Sequence, residues 1–224
     1  MKTPKPSPLP RYLREHYARW HESRYADNKA WYGRLADKGQ NPRTMLISCC
    51  DSRLDTVAMF GAEPGDLFVV RNVANLVPPF HPSHQHHGTS AAVEYAVNVL
   101  QVAHIVVIGH SDCGGVAACH KMVTGQAPEL EEQTSFIGRW MDILRPGCEA
   151  VLARGLRGSE LKSALEHEAV RTSLQNLMTF PFVEEAVTSG MLSLHGAWID
   201  IASGTLHFAD ENSEFLSLAE PEPS

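Results

Sequence analysis

The sequence predicts an α/β fold: a mainly parallel central β-sheet flanked by helices, with an N-terminal helical arm and a C-terminal antiparallel hairpin. Three observations carry this. Short runs at Thr44–Ser48, Leu67–Val70 and His104–Ile108 are, apart from the polar residues at their ends, continuously apolar rather than alternating, the pattern of strands buried on both faces. Between the second and third runs, Val93, Ala96, Val97 and Leu100 fall at helical spacing, and a strand–helix–strand unit implies parallel strands. Near the end, Met191–Ile201 and Thr205–Phe208 flank Ser203-Gly204, a hairpin signal.

The elements follow in order. Leu9 to Lys38 is rich in Arg, Glu, Ala and aromatics, with Tyr12, Tyr17, Trp20, Tyr25, Trp31 and Leu35 as the bulky positions. It reads as helix without a strict apolar stripe, stopped at Gly39. The first strand ends at Cys49. The second follows the turn signal Glu63-Pro64-Gly65-Asp66, and the third ends at Gly109-His110. Gly114-Gly115 opens a short helix to about Val123, and helical composition resumes over Glu129–Leu144 and Ser159–Leu177. Pro181 interrupts it, and a last turn or two of helix runs to Val187. Asp210 to Ser224 is acidic and carries Pro221 and Pro223, the composition of a frayed tail.

Composition excludes several functions. With 224 residues and 43% hydrophobic content the chain can bury a sizeable core. A net charge of −7 leaves no broad basic face for nucleic acid. Met1 to Pro10 is polar and proline-rich, with no signal-type apolar run behind it, and no stretch approaches the roughly 18 apolar residues of a membrane span. The expected compartment is the cytoplasm. Five cysteines, odd in number and partly clustered with histidine, point there to metal or catalysis before disulfides.

In open α/β sheets, ligands bind beyond the carboxyl ends of the strands. Cys49 and His110 each stand at such an end, and Cys113 follows His110 by one turn. Two thiolates and an imidazole suit zinc in tetrahedral geometry, and three protein ligands leave a fourth position for a reacting water. A buried cysteine alone is usually a small hydrophobe, but here the first cysteine leads into Cys50-Asp51-Ser52-Arg53. Asp and Ser could merely cap a helix. At a metal, Arg53 can instead hold Asp51 ionised by a charge-assisted pairing. Asp51 could then orient the reacting water, or swing in as the fourth ligand. A phosphatase-type loop needs five residues between its cysteine and arginine, whereas three separate Cys49 from Arg53.

These residues resemble the β-class carbonic anhydrases. The resemblance rests on Cys49-x-Asp51-Ser52-Arg53, on Val69-Val70-Arg71-Asn72-Val73-Ala74-Asn75-Leu76, and on Gly109-His110-Ser111-x-Cys113-Gly114-Gly115. It runs from about Lys38 to Phe208. It implies one Zn2+ per subunit on Cys49, His110 and Cys113, with Asp51 and Arg53 as catalytic dyad and Asp51 as an alternative fourth ligand. It further implies that Gln40 hydrogen-bonds substrate from a neighbouring subunit. Phe68, Val73 and Tyr95 correspond to the apolar wall and neighbouring tyrosine of the substrate pocket, and Gly114 places a backbone amide near the metal. Leu46 and Ser48 stand where bicarbonate-inhibited members carry Trp and Gly, which places the chain in the plant-type group.

The implied activity is the reversible hydration of carbon dioxide to bicarbonate and a proton by zinc-bound hydroxide, in a homodimer or a dimer-of-dimers tetramer. Two other readings use the same scaffold: a zinc hydrolase of carbonyl sulfide or carbon disulfide, and a non-catalytic bicarbonate-binding scaffold. The intact dyad speaks against the last. The expected organisation is an arm over residues 1–37 packing on a partner subunit, a zinc-binding catalytic domain over 38–209 and an acidic tail over 210–224. His81-Pro82-Ser83-His84-Gln85-His86-His87 could relay protons, but reads better as a polar surface loop. Cys50, Cys119 and Cys148 are expected to pack as hydrophobes.

Overall fold

The computed structural model of the chain describes residues 7–81 and 88–218. It contains two compact units, Met1–Gln40 and Asn41–Ser224. In the first, α1 (Arg11–Trp20) runs through a π-helical turn (His21–Tyr25) toward α2 (Lys29–Lys38). Gly39 ends α2 with φ of +73°, a conformation glycine adopts without steric cost. Of the predicted aromatics, Trp20 packs on Tyr25 at 5.5 Å between ring centroids, and Tyr25 packs in turn on Tyr32 at 5.1 Å. Neither helix carries a buried residue.

The second unit is built on a six-stranded sheet. Its elements are β1 (Thr44–Cys49), α3 (Thr56–Met59), β2 (Leu67–Asn72), α4 (Gly88–Glu94) with a π-helical continuation (Tyr95–Val99), and β3 (His104–His110). Then come α5 (Gly114–Val123), α6 (Phe136–Met141), α7 (Arg145–Leu152), α8 (Gly158–Leu177) and α9 (Pro181–Thr188). The chain closes with β4 (Ser193–Ile199), β5 (Leu206–Ala209) and β6 (Phe215–Ser217). The sheet order is β2-β1-β3-β4-β5-β6. β1 pairs in parallel with β2 and β3, and β3 pairs in parallel with β4. β5 and β6 then add antiparallel strands.

Burial follows the β-branched runs of β1 and β3, whereas Leu67–Val70, expected to be buried on both faces, is only half-buried because β2 is an edge strand. Met45, Ile47, Ile105 and Val107 are fully buried under α4, α8 and α9, against Val93, Val170, Leu177 and Val183. A second core lies at the carboxyl end of the sheet, where Cys49, Leu54, Ala74 and Cys113 meet Val116, Met141 and Leu144. Cys119 and Cys148 are fully buried in that core, whereas Cys50 is exposed.

Four elements differ from expectation. α3 has only four residues, too short for a period to register, and is started by the Asp55 carboxylate accepting the Ala58 N–H. The helical stretch over Glu129–Leu144 is a short 3-10 turn (Pro128–Glu131) followed by α6, which Ser135 caps at the Gly138 N–H. Pro181 acts as a helix opener, beginning α9, as Pro146 does in the first turn of α7, positions where a missing N–H costs nothing. The acidic stretch after Asp210 is not all tail, since β6 pairs Phe215 with Ala209 and Leu216 with Phe208.

Candidate metal centre

The chain leaves β1 for β2 on one side and later crosses to β3 on the other, so the crevice between the carboxyl ends of β1 and β3 is the topological switch point. Ser48 pairs with Ile108, which brings the next residue of β1, Cys49, beside the end of β3 at His110. Asp112, with φ of +53°, turns the chain back, and Cys113 becomes the residue that precedes α5. The sulfur atoms of Cys49 and Cys113 and a ring nitrogen of His110 lie within 4.8 Å of one another. All three side chains are buried.

The donor set fits a zinc ion. His110 Nδ1 is 2.9 Å from the Ser111 carbonyl oxygen, so the proton sits on Nδ1 and the lone pair on Nε2. Nε2 is buried, makes no hydrogen bond of good geometry and faces the Cys49 sulfur, the state expected of a nitrogen that shares a metal with that sulfur. The two sulfurs are 3.9 Å apart. Pairing with Cys113, then the His110 imidazole and the Asp51 and Ala74 backbone N–H groups, lower the Cys49 pKa against burial. The same pairing pushes Cys113 up, reinforced by burial. Two thiolates this close both ionise only beside a cation. Gly115 and Val116 in the first turn of α5 point their N–H groups at Cys113, where the helix terminus favours negative charge.

Asp51 and Arg53 are positioned as a pair. Asp51 Oδ1 accepts from Arg53 Nε at 2.9 Å and from the Arg53 backbone N–H at 3.0 Å, while Oδ2 accepts from Nη2 at 2.7 Å. These bonds hold the carboxylate well below its usual range. Its Oδ2 lies 4.0 Å from His110 Nε2. Arg53 Nη2 also donates to the Asp112 carbonyl at 3.0 Å, tying the β1 loop to the β3 loop.

The structure divides the other predicted residues. Val73 follows β2 directly, and a Cβ on Gly115 would touch its Cγ1, so it belongs to this end of the sheet. Gly114 opens α5 beside Cys113. Phe68 does not join them: it pairs with Met45, four residues before the Asn72–Cys49 pair, a separation of roughly 13 Å along a strand. Tyr95 goes with Phe68, their ring centroids 5.9 Å apart. Gln40 ends the other compact unit. Of the histidine tract, His81 is exposed and residues 82–87 lie outside the described residues.

One neighbour of the site was not foreseen. Glu166, almost fully buried in α8, accepts the Cys113 backbone N–H at 3.3 Å on Oε1 and the Trp198 indole N–H at 3.1 Å on Oε2. Burial raises its pKa, although both hydrogen bonds oppose this. Within an amphipathic run of charged residues, one glutamate turned inward leaves no periodic trace.

The Carbonic anhydrase family model matches residues 44–206. This chain belongs to the β-carbonic anhydrase family. Over 195 residues it is 36% identical to the chloroplastic beta carbonic anhydrase 5 of Arabidopsis thaliana, covering 86% of this chain and 62% of that protein. The chain thus spans less than two thirds of that relative. The structure of the beta-carbonic anhydrase CcaA superposes with a TM-score of 0.83 at 31% identity, covering 93% of this chain and 92% of that one. A tetrameric β-carbonic anhydrase from Sordaria macrospora gives 0.72 at 27% identity, covering 93% and 98%. Like these relatives, the chain carries a mostly parallel sheet, here extended by antiparallel strands. Among the described residues, no helix is long and apolar enough to cross a membrane.

Proposed function

We propose that this member of the β-carbonic anhydrase family hydrates carbon dioxide reversibly to bicarbonate and a proton, using one Zn2+ per subunit held by Cys49, His110 and Cys113. The observation that carries the reading is the buried Nε2 of His110, which makes no hydrogen bond of good geometry, beside two sulfurs, with an Arg53-held carboxylate 4.0 Å away. When bound, zinc supplies Lewis acidity that makes water a nucleophile near neutral pH. Asp51, kept ionised by Arg53, would accept a hydrogen bond from a water activated there and orient it toward carbon dioxide. Val73 would wall the substrate side, and Gly114, which opens α5 beside Cys113, would offer its backbone amide to the product oxygen. Two thiolates offset the charge of the ion, so activity should favour alkaline pH.

Phe68, roughly 13 Å along the strand from the end that carries its own metal ligands, and Tyr95 beside it are proposed to wall the pocket of a second copy, to which Gln40 contributes as well. This supports a homodimer or a dimer-of-dimers tetramer, in which the arm packs on the partner. Leu46 and Ser48 support assignment to the plant-type group, and five free cysteines fit a cytoplasmic protein. Stopped-flow hydration of carbon dioxide on zinc-quantified protein tests the reading, with Asp51→Asn and Cys49→Ser beside it. Carbonyl sulfide and carbon disulfide are offered in parallel. Zinc-loaded protein without pH-dependent hydration refutes the proposal, and turnover of the sulfur substrates alone replaces it.

A further inference from the structure

Arg71 belongs neither to the ligand trio nor to the dyad, yet its guanidinium is spent on their backbone. It stands on β2 opposite Ser48. Its Nε donates to the Cys49 carbonyl at 3.0 Å, and its Nη2 donates at 2.7 Å to both the Asp51 and the Leu54 carbonyls. These three carbonyls lie along the segment in which the chain leaves β1 and turns. That segment carries the first metal-ligating candidate and the whole dyad. Arg71 is exposed, so water could satisfy its donors. Its hydrogen bonds among the described residues go instead to three main-chain oxygens.

Few other bonds hold this segment. The Cys50 N–H reaches the Asn72 carbonyl at 2.8 Å, and the Leu54 N–H closes a turn on Asp51 at 3.0 Å. Arg53 reaches outward to Asp112. Between these ties the direction of the Asp51 carboxylate depends on the backbone at Asp51, and Arg71 grips that residue and both flanks. A lysine, a point charge on a flexible stem, cannot reproduce a planar fork across three acceptors.

We propose that Arg71 is a positioning residue for the reaction: it clamps the backbone of residues 49–54 so that the Asp51 carboxylate stays paired to Arg53 and directed at the metal site. This rests on the functional reading above, in which Asp51 orients the reacting water.

The test compares the parent protein with Arg71→Ala, Arg71→Gln and Arg71→Lys, each with zinc content measured. Stopped-flow hydration gives kcat and KM, and amide hydrogen exchange follows residues 50–54 in zinc-loaded and zinc-free protein. In Arg71→Ala, zinc is retained and kcat per zinc falls about 10- to 100-fold, the scale of a misplacement near 1 Å, with KM little changed. Exchange at 50–54 accelerates while β1 and β3 stay protected. Added guanidinium ion restores part of kcat in Arg71→Ala and none in the parent, and Arg71→Lys falls between. Unchanged kcat and exchange overturn the proposal. So does a loss that follows zinc content or global unfolding, because Arg71 would then be merely structural. If Arg71→Ala does not fold, Arg71→Lys decides by the same readouts, and parent-like kcat and exchange in it refute the clamp. If the parent itself hydrates no carbon dioxide, the functional reading has failed, and exchange in the zinc-free proteins decides the clamp alone.

Discussion

Gly115 is where the backbone of the metal site is most closely packed, and Gly115→Ala measures that closeness. A Cβ built there would lie 2.7 Å from Val73 Cγ1, 3.0 Å from Ala74 Cβ and 3.4 Å from Ala74 N, against about 3.5–4.0 Å for an ordinary carbon contact. Neither neighbour can retreat easily. The Val73 carbonyl is held by the Trp140 indole N–H at 2.8 Å, and Ala74 is fully buried with φ of +62°. Overpacking of this kind costs about 1–3 kcal/mol, while alanine gains up to about 1 kcal/mol over glycine in a helix. With the full helix gain the net is a loss of up to about 2 kcal/mol, or a fall in Tm of up to about 4–8 °C for a unit of this size. The strain should also lift Val73 from the substrate side and the Ala74 N–H from the Cys49 sulfur, lowering kcat/KM. Thermal unfolding and stopped-flow hydration at measured zinc content read the two effects. Gly114→Ala is the internal control for stability, since nothing lies within 4 Å of its added Cβ. If Gly115→Ala melts no lower than Gly114→Ala, the loop at Ala74 yields and the reasoning is wrong.

Three further outcomes follow from the geometry. Asp51→Asn replaces one acceptor oxygen by a donor facing Arg53, so kcat should fall by about 100-fold or more with zinc content unchanged; a loss below threefold in stopped-flow assays removes the dyad from the mechanism. A chelator should abolish hydration and lower Tm, and stoichiometric Zn2+ should restore both; full activity in protein shown to be metal-free would exclude the metal centre. His167 provides a pH test: burial chiefly, and nearby Arg171, lower its pKa from 6.5 to about 4. The folded state therefore resists protonation where the unfolded chain accepts it, so this contribution is present above pH 6.5 and is lost as pH falls toward 4. The amount is about 3 kcal/mol. His167→Phe keeps the stack on Phe215, whose ring centroid is 4.0 Å away. Urea unfolding between pH 7 and pH 4 should show a smaller loss of stability in this variant, and parallel curves would refute the assignment.

The parallel strands were legible in the sequence because burial on both faces leaves an uninterrupted apolar run, and Thr44–Ser48 and His104–Ile108 carry that mark. From those runs alone Cys49 and His110 are expected at one edge of the sheet. Other features left no such signal. The four residues of α3 complete barely one turn, and the charged surroundings of Phe215 to Ser217 hide a strand whose partner is set by tertiary pairing. Arg71 stands in the sequence just past the apolar run Leu67–Val70, with nothing to say what its guanidinium meets. Its role appears only when the loop after β1 is folded beneath it. The separation of Phe68 from Val73 depends on register, which apolar content does not specify.

That register has a consequence for how the chain tolerates insertions. β3 is paired over seven positions with β4 and five with β1. One extra residue within it would turn His110 to the opposite face of the sheet. Two would restore the face but move the imidazole by about 6.6 Å along the strand, farther than the 4.8 Å within which the three ligand atoms lie. The ladder therefore acts as a ruler, and no length change inside β3 leaves the trio in reach. Length variation among relatives should gather instead in segments that the ladder does not measure, such as the turn between β4 and β5.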